Sequence, residues 1–522
     1  MKIWLLALFL YSVQISAQEK KDISVTDLTK TDYITKQQRK ELYKQMLATI
    51  NQYDAEGIET RKSTKEVGWK KYTKVKRKNF IKAQNWKNLR DAFNSFGGGF
   101  VNLHSSFRFN LADEYPIIIS KKITYSYPNI AFYFDETNEE INKVNGIKID
   151  KLFKHYSNYD CNFNSTSGCL ATFVDDFNFG KVLAKNKLPK AIKIKKGESI
   201  NVTFKDFYGK RGKNEIKKPD VSWKPLTEGH NIELYEKGKT LLLRIKSFHY
   251  KSNNDFRCSK EIEQEKNICF DVRLIRKTLL SHADKIENLI IDLQNNGGGN
   301  ENTAFIAELA TKPFKDLQVL YRKTKILENK EFRTTLFWDS EKAENWFQKI
   351  LNDGTYKSTA YGDFLPKRAD FCQASNTCEL KEIQPNGLHN FKQIILLTNQ
   401  FCVSSCDDMV WRLRQFANVK VVGLPAAADG TYSRISAVFY LDTSGKIQRK
   451  LYAERSEPKV EGTTIFSIKI PYTKGVDYNH NKLIQGQSIT PDLIVPINHE
   501  TIKKHGLKVL KQAYLYLTQI NN

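Results

Sequence analysis

Residues 393–416 read QIILLTNQFCVSSCDDMVWRLRQF. Four consecutive apolar residues, Ile394, Ile395, Leu396 and Leu397, lead into a short polar turn that carries Cys402, Ser404, Ser405 and Cys406. Met409, Val410, Leu413 and Phe416 then recur at helical spacing. The pattern predicts a buried strand, a tight turn and an amphipathic helix. That layout holds a hydroxyl at the strand's carboxyl end and turns the free N–H groups of the helix's first residues toward whatever reacts there. An ordinary strand-to-helix turn with serines as helix caps shares the pattern.

Residues 287–300, ENLIIDLQNNGGGN, predict a second buried strand followed by a glycine loop. Such a loop lets backbone approach a ligand closely and can supply an oxyanion-hole N–H; alone it is also the turn of many α/β sheets. In this order, the two stretches resemble the C-terminal processing (tail-specific) peptidases, from about residue 241 to residue 495. Asp292, Leu293, Gln294, Asn295, Asn296, Gly297, Gly298 and Gly299 stand where that family has Asp-Leu-Arg-x-Asn-x-Gly-Gly. Cys402, Val403, Ser404, Ser405, Cys406 and Asp407 stand at its Thr-Ala-Ser-Ala-Ser-Glu, and IQGQSITPD at 484–492 at its Ile-Glu-Gly-x-Gly-Val-x-Pro-Asp.

Residues 1–17 read MKIWLLALFLYSVQISA. One lysine, an apolar run too short to span a bilayer and a small-residue end predict a secretory signal peptide. No later run reaches the roughly 18 apolar residues of a spanning helix, so the expected location is secreted or periplasmic. The eight cysteines fall into close pairs, Cys161 with Cys169, Cys258 with Cys269, Cys372 with Cys378 and Cys402 with Cys406. In an oxidising compartment, local pairing is the simplest of about 105 connectivities. With no CxxC pair and only His155 near a cysteine pair, zinc is disfavoured, and no metal or organic cofactor is expected.

The chain's 522 residues suffice for two or three domains, and its 40% hydrophobic content for a packed core. Its formal charge of +25 would attract polyanions. The lysines are spread along the chain and no nucleic-acid motif occurs, so a solvated basic surface is the simpler reading. Nucleic acid is not an expected partner; electrostatic association with an anionic envelope surface fits the predicted location.

The periodicity divides the chain into a helical module over 18–112, a β-rich insert over 113–235 and an α/β core over 236–522. In the module, Thr35 and Gln38 form a capping box ahead of Leu42, Met46 and Ile50, and a second amphipathic helix runs from Phe80 to Phe96 until three glycines stop it. Alternating strands and helices in the core predict a mostly parallel sheet, with appended β-strands after residue 424. The resemblance implies a ClpP/crotonase-like core and a PDZ-like insert that binds a substrate's tail at a sheet edge.

A serine needs a base. Many relatives carry a lysine where this chain has Ala426, Ala427, Ala428, Asp429 and Gly430. The resemblance to the tricorn-core-like members instead makes His104 the base of Ser404, with Gln485 at the position of the orienting glutamate and the amides of Gly298 and Ser405 as oxyanion donors. An amide cannot balance an imidazolium as a carboxylate does, so Asp407, Asp429 and Glu461 are alternative partners for His104. The implied activity is a serine endopeptidase acting on protein or peptide; the alternative is a catalytically degenerate relative that binds peptides or an envelope ligand.

Overall fold

The computed structural model describes residue 28 and most of residues 31–520. Interior stretches of five or more residues outside the description are 183–190, 194–198, 207–217, 251–257, 259–266, 370–377 and 454–458. The predicted signal peptide lies outside the described residues.

The module begins with α1 (Lys36–Tyr53), whose capping box forms as predicted: the Thr35 hydroxyl accepts the Gln38 N–H at 3.2 Å and the Gln38 side-chain oxygen accepts the Thr35 N–H at 2.7 Å. A short further helix follows at Gly57–Thr64. The predicted helix from Phe80 to Phe96 is two helices, α2 (Trp69–Lys82) and α3 (Trp86–Gly98). They separate because the Asn85 side chain accepts the Asn88 N–H at 2.8 Å and starts a new helix. Beyond α3, Gly99 lies so close to the next lobe that a Cβ there would overlap the Tyr159 carbonyl. β1 (Ser106–Phe109) follows.

The insert is more helical than predicted. α4 (Ile149–Tyr159) and α5 (Thr166–Asn178) are bridged by Cys161–Cys169. They pack with the hairpin of Ile123–Ser126 and Ala131–Phe134 around Phe132, Phe153 and Phe173. A separate small sheet joins Pro116–Ile119, Ser199–Asp206 and Ala191–Lys193. Leu424, Ala427 and Ile497 of the core belong to the same apolar cluster as the two helices, so this lobe is anchored to the core beside the turn of Ser404.

The core then runs β2 (Lys224–Glu228), β3 (Ile232–Lys237), β4 (Thr240–Ile245), α6 (Ile268–Ser281), β5 (Asn288–Asp292), α7 (Thr303–Leu309), β6 (Gln318–Tyr321), β7 (Gln393–Thr398), α8 (Ser405–Leu413), β8 (Val419–Gly423), β9 (Thr431–Leu441), β10 (Ile447–Ala453), β11 (Thr463–Val476), β12 (Leu493–Ile494) and α9 (His505–Ile520). One sheet has the order β12-β8-β7-β5-β4-β3-β2. Strands β4, β5, β7, β8 and β12 are parallel, and β3 and β2 extend the sheet antiparallel. The expected boundary at 235/236 therefore falls inside β3.

The continuous apolar runs reflect burial on both faces. Leu241, Leu243, Leu289, Ile291, Ile394 and Leu396 face the side covered by α6, α7 and α8. Leu242, Ile290, Ile395 and Leu397 face α9 through Val509, Leu510, Ala513 and Leu517. A second, antiparallel sheet runs β6-β11-β9-β10. β6, predicted as part of the parallel sheet, pairs with β11 instead. β1 also pairs with β11, Ser106 opposite Lys469 and Phe109 opposite Phe466. The chain is thus a mixed α/β protein of two sheets, and α1 to α3 cover the second.

Candidate active site

The predicted strand, turn and helix at 393–416 form. Ser404 sits between β7 and α8 with φ 59° and ψ −124°, a left-handed conformation that a residue with a side chain rarely adopts. Several fixings hold it there. Cys402 and Cys406 are disulfide-bonded across the turn, the Cys402 N–H donates to the Asn399 carbonyl at 2.9 Å, and the Val403 N–H donates to the Asn296 carbonyl at 3.1 Å. The last of these ties the turn to the glycine loop after β5. Asn295 and Asn399 form a second tie: the Asn399 side-chain oxygen accepts the Asn295 N–H at 3.0 Å, and its NH₂ donates back at 2.7 Å. Gly298 packs directly on the turn of Ser404; a Cβ there would lie 2.8 Å from the Ser404 Cβ, and its φ of 83° suits glycine.

His104 reaches Ser404 from the other sheet. It lies between α3 and β1, and its N–H donates to the Asn102 side-chain oxygen at 2.8 Å. Asn102 in turn donates to the Thr431 hydroxyl at 2.6 Å. The His104 Nε2 stands 3.0 Å from the Ser404 Oγ. On the far side of the ring, an Asp429 Oδ2 stands 2.9 Å from Nδ1. That contact is close but not well aligned as a hydrogen bond. Tyr432 sets its ring edge-on to the imidazole, with centroids 6.0 Å apart, and its hydroxyl donates to Asp408.

The expectation that Gln485 would flank His104 is corrected. The Gln485 oxygen accepts the Gly430 N–H at 3.0 Å, and its NH₂ donates to the Val101 carbonyl at 3.4 Å. With both ends engaged by backbone, it links the loop of Asp429 to the segment of His104. Of the alternative carboxylates, Asp429 faces the ring and Glu461 is exposed ahead of β11. Asp407, in the first turn of α8, accepts the N–H groups of Ala428 at 3.2 Å and Asp429 at 3.1 Å. Its burial raises its carboxyl well above the usual carboxylate range; the negative charges of Asp429 and Asp408 push the same way, and the Asp429 N–H opposes them.

The two expected oxyanion donors, Ser405 and Gly298, differ in whether their N–H groups are free. Ser405 opens α8, so its N–H has no acceptor inside the helix, while its hydroxyl donates to the Gly299 carbonyl at 2.7 Å. The Gly298 N–H is taken by the Asn296 side-chain oxygen at 2.9 Å. The Gly299 N–H, by contrast, has no acceptor among the described residues. Gln294, at the family's arginine position, donates to Asp292 at 3.1 Å and to the Gly506 carbonyl at 3.3 Å.

Cys258 pairs with Cys269. Cys378 is also disulfide-bonded, and its predicted partner Cys372 lies outside the described residues. Among the described residues no cluster of three or more His, Cys, Asp or Glu side chains could hold a metal ion, and no helix is long and apolar enough to cross a membrane.

Hydroxyl, imidazole and carboxylate in series is the arrangement that acyl transfer requires. Residues 239–495 match the family model described as peptidase family S41. Over this segment the chain is similar to that family, and it is a serine-type peptidase that acts on protein or peptide substrates. Two solved structures share the fold. That of mature CPAF complexed with lactacystin has a TM-score of 0.62 at 15% identity, covering 93% of this chain and 99% of its own. That of mature CPAF has 0.60 at 16%, covering 93% and 98%. No curated protein matches.

Proposed function

We propose that this protein is a secreted or periplasmic endopeptidase of the C-terminal processing type, with Ser404 as nucleophile and His104 as base. The observation that carries the reading is the 3.0 Å approach of the His104 Nε2 to the Ser404 Oγ. As the Ser404 Oγ attacks the scissile carbonyl, His104 takes its proton and later delivers it to the leaving amine. The buried Asp429 carboxylate, 2.9 Å from Nδ1, fixes the tautomer and balances the imidazolium that forms. The N–H groups of Ser405 and Gly299 stabilise the oxyanion. Asp429 supplies the negative charge that Gln485 lacks, which removes the main reason for a degenerate, binding-only reading. The leader-like sequence at 1–17 and the disulfides support the location.

A serine-directed fluorophosphonate tests the reading. Purified protein should label at Ser404, and His104→Ala should abolish labelling and peptide cleavage about as fully as Ser404→Ala does. Cleavage that survives His104→Ala, or a native protein that neither labels nor cleaves, refutes it.

A further inference from the structure

Helix α2, WKKYTKVKRKNFIK, contains no Asp or Glu. At 3.6 residues per turn, Arg77, Lys70, Lys74, Lys78, Lys71 and Lys82 fall within an arc of about 140°, and all of them are exposed. The opposite side is fixed inward, because Trp69, Tyr72, Lys76 and Phe80 are buried. Lys70, Lys74, Lys78 and Lys82 follow one another at four-residue spacing, where like charges repel. None of the exposed cations has an acidic partner among the described residues. Elsewhere the chain does pair exposed lysines, as in Lys62 with Glu59, Lys154 with Glu66, Lys224 with Glu236 and Lys503 with Asp135. Local repulsion left without counter-ions, in a chain that supplies them elsewhere, marks a face whose counter-ions come from another body.

We infer that this face docks the protein on an anionic lipid surface. The stripe is about 18 Å long, and it lies on the outside of one helix, where it can meet a plane of headgroups. All but one of its cations are lysines, which serve as point charges toward phosphate, not as planar forks that grip one group. A single-stranded nucleic acid would need stacking platforms, yet the helix's aromatic side chains are all buried. A folded acidic partner would need an apolar anchor; the arc offers only Val75, 38% exposed at its edge. Lysines near a charged bilayer each add attraction that fades within a Debye length. This inference does not depend on the assignment of Ser404 and His104.

The test uses the full secreted chain and vesicles of phosphatidylcholine with about 30 mol% phosphatidylglycerol, beside pure phosphatidylcholine. Co-sedimentation is expected with the mixed vesicles only, and should be lost at about 0.5 M salt. The triple variant Lys70→Glu, Lys74→Glu, Lys78→Glu should lower the bound fraction at least about tenfold, with the melting temperature kept. The same charge change at the exposed Lys357, Lys446 and Lys459 should lower it far less. An equal loss from both triple variants would assign the effect to net charge and overturn the inference. So would binding of the native protein to heparin, duplex DNA or poly-glutamate that matches or exceeds its vesicle binding at the same salt, or no vesicle binding at all.

Discussion

Asp407 receives the backbone N–H of Asp429 at 3.1 Å, so one buried carboxylate of α8 holds the loop whose own buried carboxylate faces His104. The two acids have different tasks. Asp429 approaches the imidazole; Asp407 touches only backbone and positions Asp429.

The first prediction concerns Asp429. Replacing it by Asn keeps the shape but removes the charge beside Nδ1 and allows the wrong tautomer. Turnover should fall by about 10³–10⁴ with little change in KM. Combining Asp429→Asn with His104→Ala should add almost nothing to the loss from His104→Ala, because the residues act as a unit. Steady-state kinetics on a cleavable peptide would show this; a loss below about tenfold would remove Asp429 from the proposed triad.

A different outcome is expected at Gln485. Because its NH₂ donates to the Val101 carbonyl, Gln485→Glu sets a carboxylate against a carbonyl in a site that is 3% exposed. Turnover should not rise, and the fold should lose about 1–3 kcal/mol. Thermal melts run beside the kinetics would reveal it. A faster enzyme of unchanged stability would mean that residue 485 does address His104.

Asp407→Asn leaves a single acceptor oxygen for the two N–H groups now held, and brings an NH₂ group against one of them. The loop carrying Asp429 should loosen, lowering turnover and the fluorophosphonate labelling rate together by about ten- to a hundredfold. Full activity in this variant would show that the loop is held without Asp407.

The fourth prediction is a pH dependence of stability. Lys65 is buried between the module and the insert, where its ammonium donates to the Phe163 carbonyl at 2.8 Å; burial, and then the charge of Arg61, lower its pKa to about 7 from 10.5. Between that value and the ordinary one, the unfolded chain holds a proton that the folded chain has released. Stability from this group therefore rises with pH across the window, and its full cost is felt below about pH 7. Lys65→Met removes the cost. Relative to the native protein, the variant should be more favourable at about pH 6 than at about pH 9, by on the order of 2–3 kcal/mol. Denaturant titrations at the two pH values measure it, and a pH-independent difference would contradict it.

Much of the site was legible because it is local. The turn at Ser404 and the glycine loop at 297–299 each follow a strand whose apolar run is continuous, and burial on both sheet faces leaves that mark in the sequence. The disulfide across the turn was legible for the same reason, since Cys402 and Cys406 are one helical turn apart. The partner of His104 was not. Motif register pointed to Gln485, whereas which carboxylate meets the ring depends on how the 428–430 loop folds under α8 and against residues 101–104, and no periodicity records such a contact. Asp429 could be named as one of three acids but not chosen. Nor could the sequence show that the Asn296 side chain claims the Gly298 N–H, a contact between neighbours in one loop. In the module, the break between α2 and α3 turns on a single cap at Asn85, within a stretch that keeps its apolar spacing on both sides.

His104 lies ahead of β1, which pairs with β11 in the second sheet, whereas Ser404 follows β7 in the first. The segment that matches the peptidase family, 239–495, therefore holds the serine and Asp429 but not the histidine. On the proposed roles, a chain whose segment ahead of β1 is undocked would carry Ser404 without the base that activates it, so reactivity would arrive only as the two sheets assemble.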